Sequence, residues 1–207
     1  MKVVAAAMVA LTVLGASAHA DAILATDTYS GHTYYLLAGD SGGAGVSWAS
    51  AEATAVSLGG HLVTIDDASE NAFVYGAFGS AQVGSHAQVL ALHIGFTDQV
   101  AEGTWAWIDG STSTYTNWAL NEPNNLGDED YGAMWGSGLP SIRPGGTWID
   151  FFGAASVVDP ATGVTLPLYA VVEVHGTGNP IPEPTTLALL GLGAAGLAVR
   201  RRRQRAT

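Results

Sequence analysis

A run of oxygen-bearing side chains occupies residues 117–130, which read NWALNEPNNLGDED. The run is rich in Asn, Asp and Glu and contains no Lys, Arg, Cys or His. Carboxylate and amide oxygens are the ligands that Ca2+ prefers, and about six to eight of them surround the ion in proteins. Pro123 restricts the backbone near the centre of the run. The residue types therefore predict a calcium site on this segment.

Two helices are predicted on the amino-terminal side of this segment. Ser47 is a candidate N-cap for a helix that extends to residue 58, with apolar residues at three- and four-residue spacing. A second helix is predicted from residue 68 to about residue 78, with Asp66 or Asp67 as its N-cap.

Five short apolar or aromatic runs are predicted to be strands. They are residues 32–37, 61–65, 89–96, 104–108 and 169–174. Residues 111–167 contain long stretches with little regular pattern, and loops of that length in a compact domain are usually functional. Two helices with short strands around a long loop predict one domain of the α+β class.

Both ends of the chain carry targeting patterns. Residues 1–20 combine an early Lys2, an apolar run and Ala18-His19-Ala20, which is typical of a signal peptide. At the other end, Pro182-Glu183-Pro184 precedes an uncharged stretch over residues 185–199 and then a run of Arg residues. This order resembles a PEP-CTERM sorting tail over residues 182–207, and residues 176–181 are predicted to be its linker.

The PEP-CTERM resemblance implies export in a Gram-negative bacterium, to the cell surface or the extracellular space. It also implies an exosortase-type processing enzyme that removes the tail. The apolar stretch is shorter than the roughly 20 residues that span a bilayer unaided, although the Arg side chains after it can reach the interface. The membrane is therefore a predicted partner only through this tail, as a transient inner-membrane anchor.

The body of the chain is strongly acidic. Residues 21–181 hold 17 of the 18 acids and a single base, Arg143, which gives a formal net charge of −16. A body with this charge cannot neutralise phosphates, which excludes nucleic acid as a partner. Bound cations would reduce its self-repulsion, or the acids serve solubility alone. The absence of cysteine removes thiol nucleophiles and thiolate metal sites.

Four groups of residues, in this order, resemble the C-type lectin-like domain over roughly residues 28–174. They are WASAEATAVSLGGHL at 48–62, HIGF at 93–96, GTWAWIDG at 103–110 with Asn117-Trp118, and Glu122-Pro123-Asn124 followed by GDED at 127–130 and WID at 148–150. The resemblance implies such a domain over residues 27–175. It would have two helices, two small antiparallel sheets and a long calcium-binding loop region.

The resemblance also implies the ligands of a principal Ca2+. The family's ligand positions fall on Glu122, Asn124, Glu129, Ile149 and Asp150. Ile149 stands where the family has an amide, so the expected metal ligands are the other four residues. In the family these residues also bind a sugar whose two vicinal hydroxyls contact the ion, and Glu-Pro-Asn goes with mannose- or glucose-type sugars. The Glu122-Pro123 peptide is then expected to be cis.

The accessory ion site of the family maps onto Asp98, Glu102, Asn125 and Glu129. Since all four side chains carry oxygen, a second Ca2+ is one interpretation. The alternative is that residues 97–103 are merely a polar turn.

The cysteines of the family are replaced in this chain. Ala55 and Val172 stand where the family has its long disulfide, and Tyr131 and Gly153 stand where a second disulfide clamps the loop. Packing must compensate at the first pair, and bound Ca2+ is expected to do so at the loop.

We predict an exported, calcium-dependent carbohydrate-binding protein whose partner is a carbohydrate or exopolysaccharide. The alternative is a calcium-stabilised but sugar-blind surface or matrix interaction protein, which Ile149 favours.

An enzyme is not predicted. GDSGG at residues 39–43 matches the nucleophile motif of trypsin-like proteases, but only His32 precedes Ser41 after the signal peptide, so a catalytic triad has no scaffold. The histidines outside the signal peptide show no zinc spacing, and each is predicted to be structural or on the surface. Trp135 is the tryptophan that could stack on a sugar ring.

Overall fold

The structure is a computed structural model that describes residues 21–40, 43–79, 89–137, 144–158 and 163–176. The predicted signal peptide, the sorting tail, Ser41 and nearly all of the predicted linker lie outside these ranges. Within them, no helix combines the length and the apolar character needed to cross a membrane.

The described residues form two α-helices, a π-helical turn and ten strands. In chain order they are β1 (Ala22–Tyr29), β2 (His32–Ala38), α1 (Trp48–Ser57), β3 (His61–Leu62), α2 (Ala68–Val74), the π-helical turn (Tyr75–Gly79), β4 (Ala91–Thr97), β5 (Ala106–Trp107), β6 (Tyr131–Trp135), β7 (Trp148–Phe151), β8 (Ser156–Val158), β9 (Thr165–Pro167) and β10 (Tyr169–Val174).

Both predicted helices are confirmed, with the predicted caps. The Ser47 side chain accepts a hydrogen bond from the backbone N–H of Ser50 and so begins α1. Asp67 accepts from the N–H groups of Ser69 and Glu70 and begins α2. The second helix was predicted to continue to about residue 78, but its last part is the wider π-helical turn.

The predicted α+β class is confirmed by one main sheet and one two-stranded sheet. Strands run in the order β1-β2-β10-β4-β6-β7 in the main sheet, with β3 on β10 and β5 on β4, and β8 pairs with β9. The pairing of β10 with β4 is parallel, and the other pairings are antiparallel.

Several strands differ from the prediction: β6 to β9 lie in the stretch predicted to have little regular structure, and the run at 104–108 pairs as a strand only at Ala106–Trp107. The run at 61–65 pairs as a strand only at His61–Leu62. Beyond it, Val63 bridges two strands, because its N–H donates to Val171 O at 2.8 Å and its carbonyl accepts from Gly95 N at 2.9 Å. Strand β1 was not predicted. It is an edge strand with several exposed residues that pairs with β2 along its whole length, so it lacks a buried apolar pattern.

Trp148 lies at the centre of an aromatic cluster and holds the start of the long loop. Its side chain is fully buried, and its indole N–H donates to Asn71 Oδ1 at 2.8 Å. Its backbone N–H donates to Asn117 O, and its carbonyl accepts from Ala119 N, both at 2.8 Å. The rings of Phe96, Trp107, Tyr115 and Trp118 pack around it. The tryptophan therefore fixes the point where the oxygen-rich segment leaves the core.

Apolar packing occupies the positions of the missing cysteines. Ala55 and Val172 are both fully buried in one cluster with Leu37 and Leu62. This contact matches the prediction that packing compensates at the first pair.

The described residues contain no Lys or Arg, so their ion pairs use histidine as the only cation. Three contacts between histidine and glutamate occur in this part of the chain: His32 with Glu173, His61 with Glu52, and His175 with Glu173. Fixed opposite charges therefore contribute almost nothing to the stability of the described fold.

Buried His93 gives the fold a predicted pH dependence. Its side chain is fully buried in β4, Nε2 donates to Ala154 O at 3.0 Å, and burial lowers the pKa of His93 from 6.5 to about 4. Between these values the unfolded chain binds a proton that the folded chain does not, so stability is lost as the pH falls through this window. The full effect is on the order of 3 kcal/mol.

Replacing His93 separates its contribution to the pH dependence of stability from that of the Asp and Glu residues. His93→Gln keeps an amide donor for Ala154 O but cannot bind the proton, so its stability should fall less between about pH 7 and about pH 4. Denaturant unfolding of both proteins at several pH values measures the difference. Parallel pH profiles for the two proteins would contradict this role of His93.

Candidate metal centre in the long loop

Asp150 ties the oxygen-rich loop to the main sheet. It lies in β7 with 2 % of its surface exposed, and Oδ2 accepts hydrogen bonds from the backbone N–H groups of Asn124 at 2.9 Å and Asn125 at 2.6 Å. Its other oxygen, Oδ1, is buried and has no hydrogen-bond partner in the described part of the chain. One carboxylate oxygen therefore positions the loop, while the other is left for a ligand.

Glu122 and Asn124 lie on either side of Pro123. The Glu122-Pro123 peptide is cis, which confirms the prediction, and Asn124 Nδ2 donates to Glu122 Oε2. Burial, followed by the adjacent Asp150 carboxylate, raises the pKa of Glu122 to about 7. Two neighbouring carboxyl groups that raise one another's pKa favour a shared proton or a shared cation.

Glu129 completes this group of oxygens. It is 8 % exposed, and its Oε2 accepts from Leu126 N at 3.0 Å. Burial first, and then Asp150, raise the pKa of Glu129, and Glu129 in turn contributes to the raised pKa of Glu122. The structure therefore brings together four residues that the sequence predicted as ligands: Glu122, Asn124, Glu129 and Asp150.

The backbone of the loop explains part of its composition. Asn121, Asn125 and Asp128 have φ values of 68°, 47° and 79°, and Gly127 has φ of 90°. Asn and Asp adopt this left-handed region more readily than other residues with a side chain. The same residue types thus supply both the turns of the loop and its oxygen atoms.

The predicted accessory residues lie at the other side of the loop. Asp98 is 2 % exposed, its Oδ2 accepts from Gly103 N at 2.8 Å, and its Oδ1 is buried without a hydrogen-bond partner among the described residues. Glu102 is exposed, yet its pKa is raised, first by partial desolvation and then by the neighbouring Asp98 and Asp130 carboxylates. Asn125 Oδ1 accepts from Glu129 N at 2.8 Å and so lies between the two groups.

Two acids near Glu102 were not predicted as ligands. Carboxylate oxygens of Glu102, Asp128 and Asp130 all lie within 4.8 Å of one another. The acidic run GDED at 127–130 was the available sequence signal, but the family positions directed attention to Glu129 alone. The accessory group therefore contains more carboxylates than the sequence predicted.

Ile149 turns away from these oxygens. It is 4 % exposed and packs in a buried cluster with Ala133, Trp135 and Leu168. Trp135 is itself only 6 % exposed. It borders a cleft of about 540 Å3 whose other walls include Trp118, Glu122 and Pro144. Sugar stacking on Trp135 stays a prediction.

Comparisons with known proteins agree with this arrangement. The family model described as "Lectin C-type domain" matches residues 44–148, just over half of the chain, and the "PEP-CTERM protein-sorting motif" matches residues 180–203. The human C-type lectin domain family 17, member A is 39% identical over 90 residues, which are 44% of this chain and 20% of that protein. The alpha-N-acetylgalactosamine-specific lectin of Patiria pectinifera is 39% identical over 83 residues, 40% of this chain and 47% of that protein.

The match extends over 56% of a third relative, the perlucin-like protein of Mytilus galloprovincialis, so the chain spans between 20% and 56% of the length of these three relatives. Among solved structures, the mouse scavenger receptor C-type lectin carbohydrate-recognition domain has a TM-score of 0.53 at 20% identity, covering 75% of this chain and 97% of that one. The cow C-type carbohydrate-recognition domain of CD23, solved in the presence of GlcNAc2Man3 oligosaccharide, has a TM-score of 0.52 at 25% identity, covering 74% and 95%.

The likeness in fold, the matched family model and the oxygen-rich loop all lead to the same assignment. The chain belongs to the C-type lectin domain family and carries a PEP-CTERM protein-sorting motif near its carboxyl end.

Proposed function

We propose that this protein is a calcium-dependent carbohydrate-binding protein that acts outside the cell. The observation that carries the proposal is the group formed by Glu122, Asn124, Glu129 and Asp150. The pKa values of Glu122 and Glu129 are raised, because burial and neighbouring carboxylates disfavour their charged forms, and Oδ1 of Asp150 is buried without a hydrogen-bond partner in the described part of the chain. A hard divalent cation satisfies both conditions, since it neutralises the carboxylates and binds the inner oxygen.

The residues of this group have complementary roles toward a sugar. Ca2+, when bound, would supply a positive centre that two vicinal hydroxyls can approach. The Glu122 and Glu129 carboxylates would accept hydrogen bonds from those hydroxyls, and the Asn124 amide would donate one. We infer a preference for mannose- or glucose-type sugars from the Glu-Pro-Asn order, with carbohydrate or exopolysaccharide as the partner.

The acids of the accessory group are the basis for proposing that a second Ca2+ binds beside the first. Asp98 and Glu102, which were predicted as ligands, lie with Asp128 and Asp130 at one side of the loop. Asn125 and Glu129 connect this side to the principal group through the hydrogen bond between them. A second Ca2+ would relieve the repulsion among these acids.

One observation favours a second candidate function. Ile149 is packed in the core and offers neither a metal ligand nor a hydrogen bond to a sugar. A calcium-stabilised but sugar-blind surface or matrix interaction protein is consistent with that replacement. Both candidates are binding functions without catalysis.

The sorting motif gives the proposed location. A PEP-CTERM motif goes with export and with processing by an exosortase-type enzyme, so we place the protein at the cell surface or in the extracellular space of a Gram-negative bacterium. The predicted membrane anchor, through the tail, is transient. An acidic domain of this kind has no role in binding nucleic acid.

A glycan array that is read with Ca2+ and again with EDTA tests the proposed function. Binding to mannose- or glucose-type glycans should occur with Ca2+ only, and Asn124→Ala should remove it. Thr116→Ala, an exposed change outside the oxygen group, should leave the signal unchanged. A calcium-dependent rise in melting temperature without any glycan signal would favour the sugar-blind candidate. The absence of both effects would overturn the proposal.

A further inference from the structure

Strand pairing brings two histidines together from opposite ends of the domain. His32 begins β2 and His175 follows β10, and the register of these strands places Thr33 opposite Val174. His32 and His175, which lie one residue outside that pair, are therefore neighbours. The two imidazole rings stack with their centroids 4.3 Å apart and their planes inclined by 28°.

A buried carboxylate lies against both rings. Glu173 is 3 % exposed, and its Oε1 lies 2.5 Å from His32 Nδ1 and 3.3 Å from His175 Nε2. The hydroxyl of Tyr34 lies 3.2 Å from the same oxygen, but the nearer acceptor for its single proton is Glu70 Oε1 at 2.6 Å. Thr64 N donates to Glu173 Oε2 at 3.3 Å, while the two imidazoles cover the outer side of the carboxylate.

The ligand atoms are close to the spacing of a tetrahedral metal site. Nitrogen and oxygen ligands bind Zn2+ at about 2.0–2.2 Å, which places neighbouring ligand atoms roughly 3.3–3.6 Å apart. The distance between His175 and Glu173 already has this value, and the three ligand atoms all lie within 4.8 Å of one another. His32 must move back from its direct hydrogen bond with Glu173 to reach the same spacing.

The surroundings leave space for a fourth ligand. A cleft of about 250 Å3 adjoins the cluster, with Gly60, His61, Asp109 and His175 among its lining residues. The side chains of His32 and His175 are 34% and 58% exposed, so an ion can enter from solvent. Three protein ligands with an open fourth position are typical of zinc sites that bind water or an exogenous group.

We propose that His32, Glu173 and His175 form a binding site for Zn2+ or a similar divalent transition metal, separate from the oxygen-rich loop. Two imidazoles and one carboxylate suit such ions, whereas Ca2+ takes oxygen ligands almost exclusively. The Thr64 N–H donates to the carboxylate oxygen that does not face the histidines, and such a hydrogen bond to a metal ligand usually raises metal affinity. The domain would then carry two kinds of cation site with different chemistry.

Isothermal titration of the purified protein with ZnCl2, with the loop saturated by Ca2+, tests this site. One Zn2+ should bind, and His175→Ala and His32→Ala should each lower its affinity by on the order of 100-fold. His61→Ala is the matched control, because His61 borders the same cleft but its Nδ1 pairs with Glu52 Oε1 at 2.6 Å. Its zinc affinity should equal that of the unaltered protein.

Visible absorption of bound Co2+ provides a second measurement. A tetrahedral Co2+ spectrum should form with the unaltered protein and with His61→Ala, and it should be lost in His175→Ala. Circular dichroism without metal checks that each variant is folded. Unchanged zinc affinity in both His32→Ala and His175→Ala, or displacement of Zn2+ by excess Ca2+, would overturn the proposal. Neither result would bear on the glycan experiment, which depends on the loop.

Discussion

Asp150→Asn is expected to remove the calcium-dependent rise in melting temperature. The substitution keeps an oxygen that can accept from the N–H groups of Asn124 and Asn125, so the loop should stay attached to β7. It removes the negative charge and puts an amide NH2, which cannot bind a cation, in place of the inner oxygen Oδ1. That oxygen is buried without a hydrogen-bond partner among the described residues. We expect the affinity for Ca2+ to fall by on the order of 100-fold.

The size of this effect follows from linkage. Ca2+ at about 100 times its dissociation constant stabilises the folded protein by about 2.7 kcal/mol, and a 100-fold weaker site loses nearly all of that gain. Thermal unfolding with Ca2+ and with EDTA measures the difference. Glu129→Ala should have the same result, because Glu129 is connected to both oxygen groups of the loop.

Asp27→Asn is the matched control for Asp150→Asn. It removes one negative charge from an exposed position of β1, where Asp27 Oδ1 accepts from the neighbouring Thr28 N at 2.8 Å. The calcium response of this variant should equal that of the unaltered protein. If Asp150→Asn keeps the full response to Ca2+, the ion does not bind at the proposed principal group.

Gly153→Ala is expected to destabilise the domain by about 2–5 kcal/mol. A Cβ at this position would lie 2.6 Å from Tyr131 Cδ2. In addition, Gly153 has a φ of 65°, which residues with a side chain rarely adopt. The left-handed backbone costs roughly 1–2 kcal/mol and the steric overlap roughly 1–3 kcal/mol. The Tyr131 ring cannot easily move away, since it packs on Trp48 with ring centroids 4.8 Å apart.

Gly110→Ala separates the two contributions in this prediction. Gly110 has a φ of 82°, but no heavy atom lies within 4 Å of the place that a Cβ would occupy. Only the cost of the left-handed backbone therefore applies there. Urea unfolding should show a smaller loss for Gly110→Ala than for Gly153→Ala. Adding Tyr131→Ala to Gly153→Ala should recover part of the loss relative to the sum of the single changes. Equal losses at the two glycines would show that the ring contact is not the cause.

The Tyr131 and Gly153 contact also shows how this chain closes its loop without a disulfide. The family has cysteines at both positions, and the structure places an aromatic ring against a glycine there. The structure thus shows packing between these two positions, where bound Ca2+ was expected to compensate for the missing disulfide; that role of Ca2+ stays a prediction.

Local patterns predicted the parts of this structure that depend on local chemistry. Ser47 and Asp67 begin the two helices because a short polar side chain can accept from the N–H groups of the next turn. The oxygen-rich loop was found for a similar reason, since its ligand types are close together in the chain. Asp150 was found only through the family positions, as it is 20 or more residues from the rest of the group.

Features that depend on distant pairing could not be predicted from spacing. His32 and His175 are neighbours only because β2 lies beside β10, and no pattern along the chain joins them. Strand β1 is stable through its pairing with β2 rather than through an apolar face of its own. Val63 ends a strand early because its two backbone groups bond to different neighbours.

The scarcity of fixed positive charge has a further consequence, for resistance to proteolysis. Trypsin-like proteases cleave after Lys or Arg, and Arg143 is the single such residue between residues 21 and 181. Pro144 follows it, and a proline at that position blocks cleavage because its ring replaces the N–H of the scissile bond. This body therefore offers no susceptible bond to that class of protease, whether it is folded or unfolded.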